Sequence, residues 1–397
     1  MGNCRAGLLA EKKQLMPVKK IFICIDWFDP AYKAGGPVQS CKNLVAALHQ
    51  DFSFYIFTSD RDEGDTEPFS NIVFNQWITY APNVQVYYAQ GKTDIKALVK
   101  TVNPDIVYCN SMYSYPFTIK PLMAVRRLKP APAIVLAPRG MLQEGAMRFK
   151  STKKKIFLSA MRFLRWERNI HFHATDKQEE KDIRKHFPRA KSIFVASNFP
   201  AQGSPAWQPA VKENNVLNCV FLSRIVPKKN LLFLIQCINN IPAEYKITLE
   251  IWGSGEDVQY LEQCKAAAAN APAHITITFK GAVRNDLLGE VYKNAHLFAL
   301  PTLGENFGHV IFEAMQHGVP VVISNRTPWN NLTEGHCGYV LSLDDPAEWT
   351  RTINSFAAME QQEFNKWSKS VWAFAGNYKK LSDPKPQYIQ VFGEIIQ

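Results

Sequence analysis

The segment HLFALPTLGENFGHVIFEAMQHGVPVVIS, residues 296–324, contains the pattern of a strand, a helix and a second strand. The apolar run HLFAL predicts a buried strand, residues 306–317 predict a helix, and VPVVIS predicts the next strand. Strands that are joined by a helix normally run parallel, so this segment indicates a parallel sheet covered by helices.

The same alternation extends through most of the chain. Seven apolar or β-branched runs precede residue 198, namely IFICI, FYIFT, VQVYY, DIVYC, AIVLA, IHFHA and SIFVA. A second series begins with NCVFLS at residue 218 and continues with ITLEIWG, HITITF, HLFALP and VPVVIS. Together they predict an α/β protein with two tandem, doubly wound, parallel-sheet domains, and a cleft between such domains is a natural ligand site.

The domain boundaries follow from the same pattern. Residues 198–215 are rich in Pro, Gly, Ser and Asn and predict a linker. The first domain is then expected at 18–197 and the second at 216–372, after a disordered leader at 1–17. The remaining segment, 373–397, is predicted to form a C-terminal helix that packs back on the first domain.

The composition is that of an ordinary folded protein, because 46% of the 397 residues are apolar and 20% are charged. No apolar run reaches about 18 residues, and the N-terminus lacks a signal peptide, so a cytosolic protein is expected. Met16 is as good a start as Met1. The eight cysteines form no C-x-x-C pair, which favours reduced, buried thiols.

The net charge of +11 is concentrated in part at residues 148–168, where Glu167 is the only acid. This segment contains eight bases: Arg148, Lys150, Lys153, Lys154, Lys155, Arg162, Arg165 and Arg168. Its apolar residues are predicted to share one helix face: Ile156, Phe157, Ala160, Met161, Phe163 and Leu164. Such a helix either binds an anionic membrane surface or packs on the core with solvated lysines. No nucleic-acid-binding signature accompanies the charge, so nucleic acid is not an expected partner.

Glu305 lies where the strand HLFAL ends, the edge at which open α/β sheets bind ligands. A helix that begins near residue 306 leaves four backbone N–H groups unpaired, those of Asn306, Phe307, Gly308 and His309. These groups favour an anionic or hydroxyl-rich ligand. Glu313 follows at roughly 12 Å by helix rise. Two glutamates at this spacing also occur on ordinary solvated helices.

The segment ALPTLGENFGHVIFEAMQHGVPVVIS, residues 299–324, resembles the E-x7-E block of retaining glycosyltransferases with the GT-B fold, glycosyltransferase family 4. The resemblance implies transfer of a sugar from a UDP- or GDP-sugar to a hydroxyl of a glycan or lipid-linked glycan. It further implies an α-linkage, a role in surface polysaccharide biosynthesis, and a cytoplasmic enzyme at the inner face of the membrane. Glu305 would orient the donor sugar and Glu313 would bind the nucleotide ribose.

A second block, FLSRIVPKKNLLFLI at 221–235, resembles the Arg and Lys element of the same family. The resemblance implies that Arg224 and Lys229 hold the donor diphosphate. Cations placed there stabilise the charge that develops on the leaving group. Because these cations supply that charge, neither a metal nor a cofactor is expected. The alternative for Lys228 and Lys229 is a solvated helix start, although cations oppose the helix dipole there.

In the first domain, the turn AYKAGGPVQS permits close approach of the backbone at Gly35 and Gly36. By resemblance it faces the donor phosphate and sugar, and the alternative is a plain tight turn. Arg139 matches an acceptor-side block, where it either holds a phosphate or forms a buried ion pair. Asn110 replaces a histidine that many relatives place near the donor sugar.

Two further positions carry donor-site expectations. Ala282 and Val283 match the place where the family grips the nucleotide base through backbone groups, and His309 either touches the sugar or is an ordinary helix-start histidine. Two other functions remain open at this stage. A sugar-nucleotide epimerase on the same fold would need no acceptor, and a non-catalytic polyanion-binding protein would be indifferent to loss of Glu305.

Overall fold

The first domain is built on one eight-stranded sheet. The computed structural model describes residues 18–143, 147, 151–203, 205–330 and 332–396. Its first eight strands are β1 (Lys20–Cys24), β2 (Ser53–Ser59), β3 (Trp77–Ala81), β4 (Val84–Ala89), β5 (Ile106–Cys109), β6 (Ala133–Leu136), β7 (Ile170–Ala174) and β8 (Ser192–Val195). They lie in the order β3-β4-β2-β1-β5-β6-β7-β8, and all neighbours are parallel except β3 and β4.

The second domain is built on a six-stranded parallel sheet. Its strands are β9 (Val216–Leu222), β10 (Lys246–Trp252), β11 (Ile275–Gly281), β12 (Leu297–Leu300), β13 (Val321–Ser324) and β14 (Gly338–Leu341). They lie in the order β11-β10-β9-β12-β13-β14. The α/β class with two parallel-dominated sheets is therefore as predicted.

Helices connect the strands in both domains. The first domain contains α1 (Gly36–Leu48), α2 (Ile95–Val102), α3 (Lys120–Val125), α4 (Ser151–Phe163) and α5 (Lys177–His186). The second half of the chain contains α6 (Leu231–Asn239), α7 (Val258–Ala269), α8 (Leu288–Lys293), α9 (His309–Gln316), α10 (Pro346–Ala358), α11 (Gln361–Leu381) and α12 (Lys385–Ile396).

The burial of the central strands explains their continuous apolar sequence. Every residue of β5, β7, β12 and β13 is buried, because helices cover both faces of each sheet. The strand order reverses between β1 and β5 in the first sheet and between β9 and β12 in the second. A crevice opens at each reversal beyond the carboxyl ends of the strands, which is where such sheets bind ligands.

The last helix returns to the first domain. The ring of Phe392 lies 5.6 Å from that of Phe52, and the hydroxyl of Tyr388 lies 3.2 Å from Nε2 of His173. The expected boundary at 372 falls inside α11, which continues to Leu381 because Val371 and its neighbours pack in the second core. The chain leaves the second domain after that helix rather than at 373.

Two edge strands, β3 and β14, were not predicted from the sequence. The predicted leader at 1–17 and the bases Arg148 and Lys150 lie outside the described residues. Within them, the linker at 198–215 has no regular helix or strand, and the cysteines are buried and unpaired.

The prediction of one apolar face for the basic segment is wrong. Leu158 and Met161 pack in the core, whereas Ile156 and Phe163 are 64% and 86% exposed, because the helix turns these pairs to opposite sides.

Candidate functional site

The carboxyl ends of the strands in the two sheets face each other across a cleft. A cavity of about 290 Å³ lies there, between the loops that follow β1 and β6 and those that follow β9 to β12. It is lined by every predicted site residue except Asn110: Gly35, Gly36, Arg139, Arg224, Lys229, Ala282, Val283, Glu305, Asn306, Phe307, Gly308, His309 and Glu313. The fold therefore brings together residues that lie up to 278 positions apart in the sequence, from Gly35 to Glu313.

Lys229 and Glu305 form an ion pair on the second-domain side of the cavity. Lys229 Nζ donates to Glu305 Oε1 at 2.5 Å, and both side chains are largely buried. Burial raises the pKa of Glu305, but the charges of Lys229 and Lys228 outweigh it and the net pKa lies below the ordinary value. The carboxylate is thus ionised and fixed in position. Lys229 ends a short 3₁₀ turn, and α6 begins only at Leu231, two residues later than predicted.

Arg224 is held by two carboxylates. Its guanidinium lies 3.2 Å from Glu63 Oε1 of the first domain and 3.5 Å from Glu256 Oε2 of the second. Burial raises the pKa of Glu63 to about 7, an effect that Arg224 opposes and Glu256 reinforces. Glu63 was not predicted as a site residue, because it lies in the irregular segment after β2 and matches no motif. This ion pair links the two domains across the cavity.

Lys228 is a further cation that lines the cavity and was not predicted as a site residue. Burial lowers the pKa of its ammonium group, as do the nearby charges of Lys229 and Arg224, while Glu305 raises it. Unlike its two neighbours, it forms no ion pair with any carboxylate of the described residues. The sequence shows that Lys228 is next to Lys229, but it does not show that the Lys228 side chain lines the cavity.

The helix after Glu305 begins later than predicted, at His309 rather than near residue 306. Gly308 adopts φ of 76° and forms the N-cap, a conformation that favours glycine. Phe307 and Asn306 therefore precede the helix instead of opening it. Phe307 is buried with its ring 5.2 Å from that of Trp329. The free N–H groups at the first turn are those of His309 and Val310, both of which line the cavity.

Asn306 connects the two domains. Its side-chain amide donates to Glu179 Oε2 at 3.1 Å and accepts from Asn198 Nδ2 at 3.0 Å. Glu179 is fully buried and also accepts from the backbone N–H groups of Gly140 and Thr175, at 2.6 and 2.8 Å. The amide of Asn306 is thus committed to holding the cleft together, which leaves its backbone to face a ligand.

Glu313 carries a buried carboxyl group without a hydrogen-bond donor from any side chain in the described part of the chain. Burial raises its pKa to about 7. It lies within the second turn of α9 and lines both the cavity and an adjoining groove of about 730 Å³ between α1 and α8. A buried polar group without a hydrogen-bond partner lowers stability, so this carboxyl group is suited to accept hydrogen bonds from the hydroxyl groups of a ligand.

His309 forms a second contact between the domains. Its Nε2 lies 2.7 Å from Oγ of Ser40 on α1, while Nδ1 is buried without a partner in the described residues. Burial, with the nearby charge of Arg139, lowers the pKa of His309 to about 3. The imidazole is therefore neutral at ordinary pH.

Arg139 is held by neutral groups, so the expectation of a buried ion pair is wrong. Its guanidinium donates to Asn110 Oδ1 at 2.8 Å, to Asn198 Oδ1 at 2.5 Å and to the hydroxyl of Tyr108 at 2.8 Å. Asn110 lies behind it and does not line the cavity, so its observed role is to position Arg139. The arginine lies at the cavity wall without a direct ion pair to any carboxylate of the described residues.

Gly36 has no steric reason within the chain to be glycine. A Cβ built on either Gly35 or Gly36 would meet no atom within 4 Å, although Gly35 also has φ of 66°. The open space in front of both residues lies in the cavity, as expected for close approach of a ligand to the backbone. Ala282 and Val283 form the opposite wall after β11.

Residues 217–358 match the family model described as "Glycosyl transferases group 1". These residues include Arg224, Lys229, Glu305 and Glu313. This segment is a group 1 glycosyl transferase domain. All four side chains line the cavity: Arg224 and Lys229 follow β9, Glu305 follows β12, and Glu313 lies in α9.

Known relatives resemble part of this chain over part of their own length. An uncharacterized glycosyltransferase of Methanocaldococcus jannaschii is 33% identical over 106 residues, 27% of this chain and 26% of that protein. The O-antigen chain mannosyltransferase B of Escherichia coli is 29% identical over 130 residues, 32% of this chain and 33% of that protein. The similarity thus spans about a quarter to a third of these relatives.

The structural likeness extends beyond the glycosyl transferase domain to nearly the whole chain. HepE of Anabaena, solved in complex with UDP and glucose, has a TM-score of 0.64 at 16% identity. The match covers 95% of this chain and 98% of that one. At this identity the likeness shows the fold alone, and it confirms the predicted GT-B architecture.

Proposed function

We propose that the protein is a retaining glycosyltransferase that moves a sugar from a UDP- or GDP-sugar to a hydroxyl of a glycan or lipid-linked glycan. The observation that carries this proposal is the Lys229–Glu305 ion pair beside Arg224, inside the group 1 domain and at the strand reversal of the second sheet. The relative from E. coli is a mannosyltransferase, and a structural neighbour holds UDP and glucose.

In this proposal Arg224 and Lys229 bind the donor diphosphate. The diphosphate gains negative charge as the glycosidic bond breaks, so preorganised cations stabilise the transition state more than the ground state. Loss of one such group typically lowers the rate by about 10²–10³. We expect Lys229→Ala to fall in this range.

Glu305 acts on the donor sugar in this proposal. Its pKa is held low by Lys229 and Lys228, so it suits hydrogen bonds from sugar hydroxyls and not proton abstraction. Glu313, to which no side chain of the described residues donates a hydrogen bond, accepts hydrogen bonds from the ribose hydroxyls. Retention then arises because the leaving phosphate helps to deprotonate the acceptor on the same face of the sugar, which gives an α-linkage.

The proposed reaction uses neither a metal nor a cofactor. The cations of the second domain supply the positive charge that a metal supplies in other sugar-nucleotide sites. Within the described ranges, no group of three or more His, Cys, Asp or Glu side chains is arranged to hold a metal ion. A chelator should therefore leave the rate unchanged, whereas a fall in rate that Mg²⁺ or Mn²⁺ restores would contradict this part of the proposal.

In this proposal the protein also docks on anionic lipid at the inner face of the cytoplasmic membrane. In α4 and the turn that follows it, Ile156, Phe163 and Leu164 are exposed, and Arg162 and Arg165 lie beside them. Exposed apolar groups among bases suit the interface of anionic lipids. None of the described helices is long and apolar enough to span a membrane. Such docking would bring the cleft to a lipid-linked acceptor of surface polysaccharide synthesis.

Vesicle sedimentation tests the membrane part. Phe163→Ser should reduce binding to vesicles that contain anionic lipid, and neutral vesicles should bind neither form. Leu381→Ser is the matched control, because that side chain is also 86% exposed but lies on the second domain. Equal binding of wild type and Phe163→Ser would contradict the proposed surface.

Thermal stabilisation by nucleotides tests the donor site. A ligand at one hundred times its Kd stabilises the native state by about 2.7 kcal/mol. We expect either UDP and its sugars or GDP and its sugars to raise Tm, and Lys229→Ala or Glu313→Ala to abolish the shift. Lys265→Ala is the control, because this lysine is half-exposed and pairs only within α7. A shift with polyanions but with no nucleotide would favour the non-catalytic alternative.

A further inference from the structure

Lys228 stands apart from the cations that the proposed donor site uses. Arg224 and Lys229 each have a carboxylate partner, which a diphosphate would replace or join. Lys228 is half-buried at the cavity wall and forms no ion pair with a carboxylate of the described residues. Lys228 and Lys229 both lower the pKa of Glu305, so two cations share this one carboxylate. A half-buried excess of positive charge is costly, so this position favours an anion that the chain itself does not provide.

The surroundings of Gly304 show where the Lys228 side chain runs. A Cβ built on Gly304 would lie 3.8 Å from Lys228 Cε and 3.4 Å from Oε1 of Gln143. Gln143 belongs to the first domain and follows β6. The two side chains therefore lie beside the same glycine, one from each domain. The carboxamide of Gln143 makes no side-chain hydrogen bond with any described residue, so its donors are also available.

A lysine of the basic segment adds positive potential at the same place. Lys154 on α4 is near enough to lower the pKa of Lys228, and its ammonium group lies 5.3 Å over the ring of Tyr113. Lys154 of the first domain and Lys228 of the second thus add their positive potentials beside Gly304. Such convergence is the usual electrostatic environment of a bound anion.

We infer that Lys228 and Gln143, with Lys154 beside them, form an anion subsite that binds a phosphate group of the acceptor. This inference rests on the proposed function, which brings a lipid-linked acceptor to the cleft beside α4 of the first domain. The cation supplies a charge-assisted hydrogen bond and the carboxamide supplies a neutral donor, which together suit a phosphate monoester or diphosphate. The glycosyl acceptor is therefore phosphorylated, either as a soluble sugar phosphate or as a lipid phosphate.

The test uses inorganic phosphate as the probe, with the protein saturated by the nucleoside diphosphate that binds best. Line broadening of the ³¹P resonance at constant ionic strength gives the phosphate affinity. We expect Lys228→Met to weaken phosphate binding by about tenfold, the effect of losing one charge-assisted contact. Gln143→Glu should weaken it similarly, because the new carboxylate pairs with Lys228. Lys265→Met is the exposed control and should match wild type.

Competition distinguishes the two sources of phosphate. Glucose 6-phosphate and dihexanoyl phosphatidic acid are each titrated against bound inorganic phosphate, and the tighter competitor identifies a soluble or a lipid acceptor. Wild-type phosphate affinity in both Lys228→Met and Gln143→Glu would overturn the inference, as would failure of both competitors. A loss of nucleotide affinity in Lys228→Met equal to its loss of phosphate affinity would also overturn it. Failure of every nucleotide to bind wild type would instead refute the proposed donor site.

Discussion

The Glu63–Arg224 ion pair leads us to predict that removing this contact strengthens ligand binding. Glu63 reaches from the first domain to within 3.2 and 3.3 Å of Arg224 through its two oxygens. In the proposed function the same guanidinium binds the donor diphosphate. The carboxylate therefore competes with the donor, and Glu63→Gln should relieve the competition while keeping the shape of the side chain.

The structure sets the size of the effect. The Glu63 side chain is 15% exposed and that of Arg224 is 34% exposed, so solvent screens the pair in part. A partly screened ion pair contributes about 1 kcal/mol, at the upper end for exposed pairs. Removing the competitor should thus tighten nucleoside diphosphate binding about fivefold at a pH where Glu63 is ionised.

The pKa of Glu63, raised by burial to about 7, gives the pH dependence. Below that pH the wild-type carboxyl group is protonated and no longer competes as an anion, so wild type and variant should bind alike at pH 6. Above it the charge returns, and the difference should be largest at pH 8. Asp62 and Glu256 face the same group and contribute to the elevated pKa, Asp62 weakly.

Isothermal titration of UDP and GDP at pH 6 and pH 8 measures the effect. Glu67→Gln, an exposed glutamate of the same segment, should bind like wild type at both pH values. The reasoning is refuted if Glu63→Gln binds with equal or lower affinity at pH 8, because Glu63 would then either be irrelevant to the phosphate position or contribute to it.

Three further predictions concern stability. The pKa of Glu313 is about 7 in the folded protein and ordinarily 4.5, so its contribution to stability falls as pH rises from about 4.5 to 7. In urea denaturation, Glu313→Gln should therefore have a free energy of unfolding up to about 3 kcal/mol above wild type at pH 8 and equal to wild type at pH 4. Gly308→Ala should lower the free energy of unfolding by about 1–3 kcal/mol, because φ is 76° and the new Cβ would lie 2.8 Å from Ile311 Cδ1; an unchanged midpoint would contradict this. Phe392→Ala should cost about 3–5 kcal/mol by the same assay, because its ring is fully buried against the first sheet, and a loss below about 1 kcal/mol would show that α12 does not stabilise that domain.

The sequence was most informative where strands are buried on both faces. The sequences of β12 and β13 are unbroken apolar runs, and the loop and helix between them predict that Glu305 lies at a strand end. The position of Glu305 depends on local pattern and on the rule that parallel strands bind ligands at their carboxyl ends, so sequence alone was sufficient. Arg224, after β9, was identified instead by the resemblance of residues 221–235 to the Arg and Lys element of the family.

Contacts across the cleft were not predictable from local pattern. The sequence does not show that Asn306 bonds to Glu179, that three neutral oxygens hold Arg139, or that Glu63 reaches Arg224. Each of these joins segments that are far apart in the chain, and the contacts of Asn306 and Glu63 form only where the two domains meet. The late start of α9 had a local cause, the left-handed conformation of Gly308, but a glycine in that pattern is equally compatible with a helix interior.

The most direct test of the central claim is to follow cleavage of the nucleotide-sugar by ¹H NMR, in the presence of a chelator and without an acceptor. The donor is the one that stabilises the protein most in the nucleotide panel. The account predicts release of nucleoside diphosphate, with the free sugar appearing first as the α anomer from an α-linked donor, and a rate lowered by about 10²–10³ in Lys229→Ala. A bound donor whose glycosidic bond stays intact, or a sugar that appears first as the β anomer, would contradict it.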